Sequence, residues 1–291
     1  MLHADSARNR LVGIGLVWLT YLLFALLDGS AKWLVASTPV IVVVWLRFLV
    51  HAVLASATLF PLRGLALVRT RHLRWHALRA LMFMAMTAVN FWALQYLQLA
   101  VTSSIAFSVP IIIALLAAPI LGDRLDAARW LAILAGFSGV MLIVRPWSAE
   151  FHPAILLAVA NAFLYAAFML MTRWLAAYDS TETIQFLPAL GAAIGLAPFA
   201  LAVWRSPPGW REWAVACLMG VLGGVGHHLL ALAYRYAPAT TLAPFLYQQV
   251  IYAAAFGYLV FGDVPAAAVW LGAGIVIASG LYLFSRERAG R

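Results

Sequence analysis

The chain alternates long apolar stretches with short polar or turn-forming breaks, and this alternation predicts its elements before any single residue is weighed. A helix needs about 20 mostly apolar residues to cross a hydrocarbon core of about 30 Å. Windows that satisfy this fall at residues 11–35, 39–61, 75–97, 101–121, 129–144, 153–174, 181–204, 213–236, 239–261 and 267–284. Turn residues mark the breaks: Ser37-Thr38-Pro39, Gly122-Asp123, Arg145-Pro146, Ser206-Pro207-Pro208-Gly209, and Gly262-Asp263 ahead of Pro265. Runs this long and continuously apolar lack the two-residue alternation of a lipid-facing strand, so the expectation is an all-α polytopic membrane protein of ten spanning helices.

The pattern occurs twice. Gly122-Asp123 falls eight residues before Trp130, and Gly262-Asp263 falls eight before Trp270. Ala93-Leu94 and Trp75 return as Ala231-Leu232 and Trp213 at a separation of 138, while Phe24-Ala25 and Lys32-Trp33-Leu34 are answered by Tyr165-Ala166 and Arg173-Trp174-Leu175 at 141. Ordered matches of this kind predict two repeats, residues 1–146 and 147–291, each of five helices. Five is odd, so the second repeat crosses the membrane upside down, the architecture of many secondary transporters. The first window also resembles a secretory leader, with Arg8 and Arg10 before it and Gly29-Ser30-Ala31 as a weak cleavage site. Its repeat mate lies deep in the chain at 153–175, so it is expected to remain part of the fold.

Composition agrees. Hydrophobic residues make up 65% of the 291 positions and charged residues 10%, with a mean hydropathy of +0.95, outside the range of water-soluble domains. One cysteine, Cys217, permits neither an internal disulfide nor a thiolate metal cluster. The net charge of +9 follows membrane topology rather than a nucleic-acid partner: with the N-terminus inside, fourteen of the 19 basic residues lie on the cytoplasmic side, which sets both termini in the cytoplasm. No phosphate-binding loop of the GxxxxGK[ST] type is present. The spans hold no paired carboxylates or His-Glu-x-x-His element, which leaves an intramembrane enzyme as a remote alternative and implies no metal or cofactor.

Polar side chains inside spans are costly and mark function or helix pairing. Asp28 is the one acid well inside a window, with Lys32 a turn further on the same face and Arg47 on the neighbouring helix. Two readings stand: a proton or cation carrier, with His227 as a second titratable candidate, or an Asp28–Lys32 or Asp28–Arg47 pair that pins two helices. Two nearby cations would hold the acid ionised, which favours the pair. Asn90 and His228 are repeat mates on the third helices, and Asn161, the mate of Thr20, lies one turn before Tyr165. Trp92 and Trp18 sit away from the aromatic belt that most other tryptophans form at helix ends. The ninth helix draws most attention, since Tyr247, Gln248, Gln249 and Tyr252 bring two amides and two phenols to mid-membrane. Such groups suit an amino-acid backbone plus a ring or a cation. Pro244 is expected to free backbone carbonyls there. The pairs Gly191/Gly195 and Gly220/Gly224 are read as close-packing surfaces.

The paired junctions Gly122-Asp123-Arg124-Leu125 and Gly262-Asp263, Pro110 thirteen residues before Asp123, and Trp45-Leu46-Arg47-Phe48 together resemble the drug/metabolite transporter superfamily in its EamA-type, ten-helix form. The junctions carry Asp where that family usually has Glu, and Val250 stands in place of a second Pro110. The resemblance covers nearly the whole chain and implies two inverted five-helix repeats around a central cavity between helices one, three, four, six, eight and nine. The aromatic content and Tyr-Gln-Gln make the chain look most like bacterial exporters of aromatic amino acids. It therefore implies a monomeric inner-membrane exporter of aromatic or other neutral amino acids, with cationic drugs, purines or sugar-phosphates as alternative substrates. Lys32 is the only lysine, which weighs against phosphorylated cargo.

Overall fold

The computed structural model describes residues 6–121, 127–149, 151–237 and 239–289. Among these it is helical throughout: six helices long and apolar enough to cross a membrane and four shorter apolar ones, ten in all. We label them α1 (Ala7–Leu34), α2 (Val40–Arg63), α3 (Leu73–Leu94), α4 (Leu99–Ala106 and Val109–Leu121), α5 (Ala127–Val144), α6 (Ile155–Leu175), α7 (Thr181–Ala202) and α8 (Trp210–Tyr236). The last two are α9, a composite described below, and α10 (Ala267–Ala289). Ser6 caps α1 by accepting from Asn9 N, and Ser180 caps α7 by accepting from Thr183 N, each at 3.2 Å.

Two of the ten depart from the uninterrupted helices the hydropathy predicted. In α4 the helix breaks at Phe107-Ser108, just before Pro110. Proline lacks the N–H that would reach back to Ala106, and the Ser108 hydroxyl instead donates to Ile105 O at 2.7 Å. In α9 the hydrogen-bond pattern changes three times: Ala239–Leu242 is α-helical, Ala243–Tyr247 is 3₁₀ with its proline at the start, Gln248–Phe256 returns to α, and Gly257–Phe261 widens to a π-helix. Gly262 closes it with a left-handed φ of 69°, which lets Asp263 N donate to Gly257 O at 3.0 Å.

The packing is two-fold symmetric. The extensive α1–α8 contact is matched by α3–α6, α1–α9 by α4–α6, and α3–α7 by α2–α8, while α2–α7, α4–α9 and α5–α10 each join equivalent helices of the two repeats. At the α5–α10 crossing the backbones touch: a Cβ on Gly139 would lie 2.8 Å from Gly272 O, and one on Gly272 2.5 Å from Gly139 O. Small residues give such crossings their stability, because lipid offers no hydrophobic drive to bring helices together.

The end of the bundle opposite the termini is tied across the repeats by Lys32, whose ammonium donates to Asp263 Oδ2 at 2.6 Å and Leu97 O at 3.0 Å and stands 4.9 Å from the Phe261 ring centre. At the other end Asp179, after α6, accepts from Thr70 at 2.9 Å and faces His76 Nε2 at 3.0 Å, and Arg63 pairs with Glu182 at 2.8 Å. A surface hollow of about 800 Å³ between α2 and α7 is walled by Trp45, Leu49, Val53, Phe60, Leu190 and Ile194. Its one side-chain hydroxyl, Ser56, is already bonded to Ala52 O, so the groove suits acyl chains rather than a polar ligand.

Candidate functional site

Rings from both repeats converge in the middle of the bundle. Phe48 of α2 meets Phe83 of α3 at 4.8 Å between ring centres, and Phe83 stacks on Phe168 of α6 at 5.3 Å. His227 of α8 lies 5.0 Å from Phe24 of α1, 5.8 Å from Phe83, and parallel to His51 of α2 at 6.1 Å. The phenols of Tyr21, Tyr165 and Tyr234 lie close enough to act on one another, and Tyr21 meets Phe24 edge-on at 5.8 Å. Two guanidiniums sit over this cluster, Arg47 at 4.6 Å from the Phe48 centre and Arg79 at 4.6 Å from that of Phe168, a favourable use of the ring faces.

Glycines on α8 make the convergence possible. A Cβ at Gly220 would collide with Val50, one at Gly223 would lie 3.3 Å from Arg47 Nη2, at Gly224 3.1 Å from His51 Cδ2, and at Gly226 2.6 Å from Phe24 Cε1. The glycine run read from sequence as a packing surface therefore seats the α2 and α1 side chains that build the centre. Gly191 and Gly195 of α7 do the same for Ala80 and Met84 of α3.

The polar centre belongs to the first repeat. Asn90 Nδ2 donates to Asp28 Oδ1 at 3.2 Å, and Arg47 Nη1 reaches Thr87 Oγ1 at 3.5 Å. Neither predicted partner of Asp28 forms an ion pair with it. Lys32 swings instead to Asp263, because the end of α1 meets the α9–α10 turn; Arg47, 5% exposed, lies close enough to act on the Asp28 charge while its guanidinium packs against Gly223. Arg47 Nε and His51 Nδ1 are buried without a hydrogen-bond partner.

The remaining candidates scatter. His228 is exposed while its neighbour His227 enters the cluster; successive residues on a helix point about 100° apart, so only one of the two faces inward. Trp92, 47% exposed, follows the exposed Leu78 and Leu81 along α3 and, among the described residues, makes no ring contact with the cluster. On α9, Tyr252 meets the exposed Trp18 edge-on at 6.4 Å, and Tyr247 packs against Phe107 at 4.9 Å. Gln248 is 8% exposed with both amide atoms unpartnered, Gln249 and Asn161 are partly buried, and Tyr165 bridges the two main core clusters. Gly122-Asp123 and Arg124 lie outside the described residues. Tyr21, His51, Phe83 and Phe168 carry no signal of a site in the sequence, and Phe48 stands out there only within Trp45-Leu46-Arg47-Phe48. Phe24 was flagged only as the repeat mate of Tyr165, and that correspondence was the available signal for both.

The EamA-like transporter family matches residues 11–145 and again 152–285. A riboflavin transporter of Vibrio cholerae is 32% identical over 233 residues, 76% of this chain and 74% of that protein. A riboflavin transporter of Rhizobium johnstonii is 32% identical over 282 residues, 94% and 92% respectively. An S-adenosylmethionine uptake transporter of Rickettsia felis is 25% identical over 285 residues, 98% and 96%. None of these names refers to aromatic amino acids, so that expectation is replaced by the broader statement they support. With both halves matched and the packing two-fold symmetric, the chain is a multi-pass membrane protein belonging to the EamA-like transporter family, within the drug/metabolite transporters.

Proposed function

We propose that this protein is a secondary transporter of a neutral planar heterocycle, with riboflavin the first candidate, moved through the inner membrane by alternating access. The observation that carries the reading is the cluster of rings supplied by α1, α2, α3, α6 and α8. A set this broad suits a fused ring system better than a single phenyl group, and similarity to riboflavin transporters supports the same class. The rings touch one another in this conformation, so rocking of the repeats has to part them before substrate enters.

Amino-acid export is the second reading. Asp28 and Arg47, opposite charges near enough to act on each other, suit the ammonium and carboxylate of a zwitterion. The two are separated by uptake of labelled riboflavin into proteoliposomes, with phenylalanine, tryptophan and threonine as competitors and with and without an imposed pH gradient. Saturable riboflavin uptake indifferent to the amino acids is expected. Amino-acid uptake without riboflavin uptake would reverse the order.

A further inference from the structure

We infer that Asp28, flanked by Asn90 and Arg47, reads a ring N–H held between two carbonyls on the substrate, and so sets specificity; the inference rests on the heterocycle reading above. Asn90 donates one N–H to Asp28 Oδ1, which leaves its second amide proton and the other carboxylate lone pairs uncommitted. Arg47 adds a guanidinium whose Nε has no partner and whose one hydrogen bond to Thr87 is long, at 3.5 Å. In chemical order the three present a donor, an acceptor and a donor. An imide edge, C(=O)–NH–C(=O), presents acceptor, donor and acceptor, and an isoalloxazine carries such an edge on its pyrimidinedione ring.

Charge supports the assignment. Lys32 is drawn off by Asp263, so Asp28 is the acidic group left at the centre to accept a ring N–H, with the guanidiniums of Arg47 and Arg79 over the neighbouring rings. Arg47 also lies beside planar surfaces. Arg47 stands 4.6 Å and 5.5 Å from the ring centres of Phe48 and Phe83, so a heterocycle hydrogen-bonded to the array can continue onto the aromatic cluster. A purely structural pair would close on itself, whereas Asp28 and Arg47 keep hydrogen-bonding capacity in reserve. A hydrogen bond to a charged group discriminates by about ten- to a hundred-fold, because the analogue that lacks it leaves a buried charge unmatched.

The test compares riboflavin with N3-methylriboflavin, in which the imide proton is replaced by methyl, by fluorescence anisotropy on the purified full-length protein and by proteoliposome uptake. Wild-type protein is expected to bind the methylated flavin about ten- to a hundred-fold more weakly. Asp28→Asn is expected to weaken riboflavin by a similar factor and leave the methylated flavin unchanged, which erases the preference. Equal binding of both flavins by the wild type, an arm that needs no variant to fold, overturns the assignment while leaving the riboflavin reading intact. Binding of neither flavin sinks the riboflavin reading and this inference with it. An Asp28→Asn protein that loses both flavins equally makes Asp28 structural. One that keeps the preference but loses acceleration by a pH gradient makes it a proton carrier. Either result overturns the inference.

Discussion

The two repeats pack alike and differ in chemistry. On α1 the inward turn carries Asp28 and then Lys32; on α6 the corresponding positions, 141 residues later, are Met169 and Arg173. On α3 Asn90 hydrogen-bonds Asp28, whereas its mate His228 on α8 is exposed and the helix offers His227 instead. The first repeat thus supplies the charged groups of the centre. Both supply rings, and the second adds the glycine surface that seats those groups. Duplication fixes which helices touch, because contact depends on small residues and shape. It leaves each side chain free to diverge, so a symmetric scaffold holds an asymmetric site.

The largest effect is expected from breaking the charged side of this comparison. Arg47→Leu removes a buried guanidinium that acts on Asp28 and packs against Phe48 and Gly223, and the yield of monodisperse protein in size-exclusion chromatography should collapse. Adding Asp28→Asn to the same chain should restore the yield, and failure to do so would place the damage in packing. Next comes the converse, a charge introduced into the second repeat. Met169→Asp places an acid at the Asp28-equivalent position without an Arg47 or Asn90 to meet it, costing about 2.5–3.5 kcal/mol on insertion scales and reducing the inserted fraction in membranes. If it is tolerated as well as Asp28 is, the repeats are chemically more alike than their sequences indicate.

A smaller effect belongs to the cross-repeat tie. Lys32 and Asp263 are 16% and 21% exposed, so solvent screens the pair and Lys32→Met should lower stability by about 1 kcal/mol or less, a shift of a few degrees in thermal melting. Asp263→Asn should add little once Lys32 is gone, and full additivity would show that the two side chains act separately. The smallest effect concerns adjacent histidines. His227→Ala should reduce riboflavin uptake about two-fold through loss of ring contacts worth about 0.5 kcal/mol, while His228→Ala should leave it unchanged. Equal losses would mean that α8 turns during transport.

Much of the architecture was legible in the residues. The spans, the duplication and the glycine packing faces were all visible, because each is a local or repeating feature. The breaks in α4 and α9 were legible only in part: Pro244 pointed to freed carbonyls in α9, but not to its 3₁₀ and π turns, and Pro110 entered only through the family resemblance, not as a break in α4. The site was harder. Asp28, Arg47, Asn90, Tyr165 and His227 stand out in the sequence and lie in or beside the ring cluster, whereas Tyr247, Gln248, Gln249 and Tyr252 of α9 lie apart from it, and Trp92 of α3 and His228 of α8 are exposed.

Sequence by itself determined that the chain spans a membrane as two inverted repeats, since hydrophobic length and internal similarity need no knowledge of neighbours. Only the tertiary structure decided which face of each helix points to the centre and which charge meets which. A helix surrounded by lipid is apolar on every side, so its sequence carries little directional signal. Lys32 shows the consequence: one turn from Asp28 along the chain, it pairs with Asp263, 231 residues away, because helix packing rather than sequence proximity brings the opposite charge within reach.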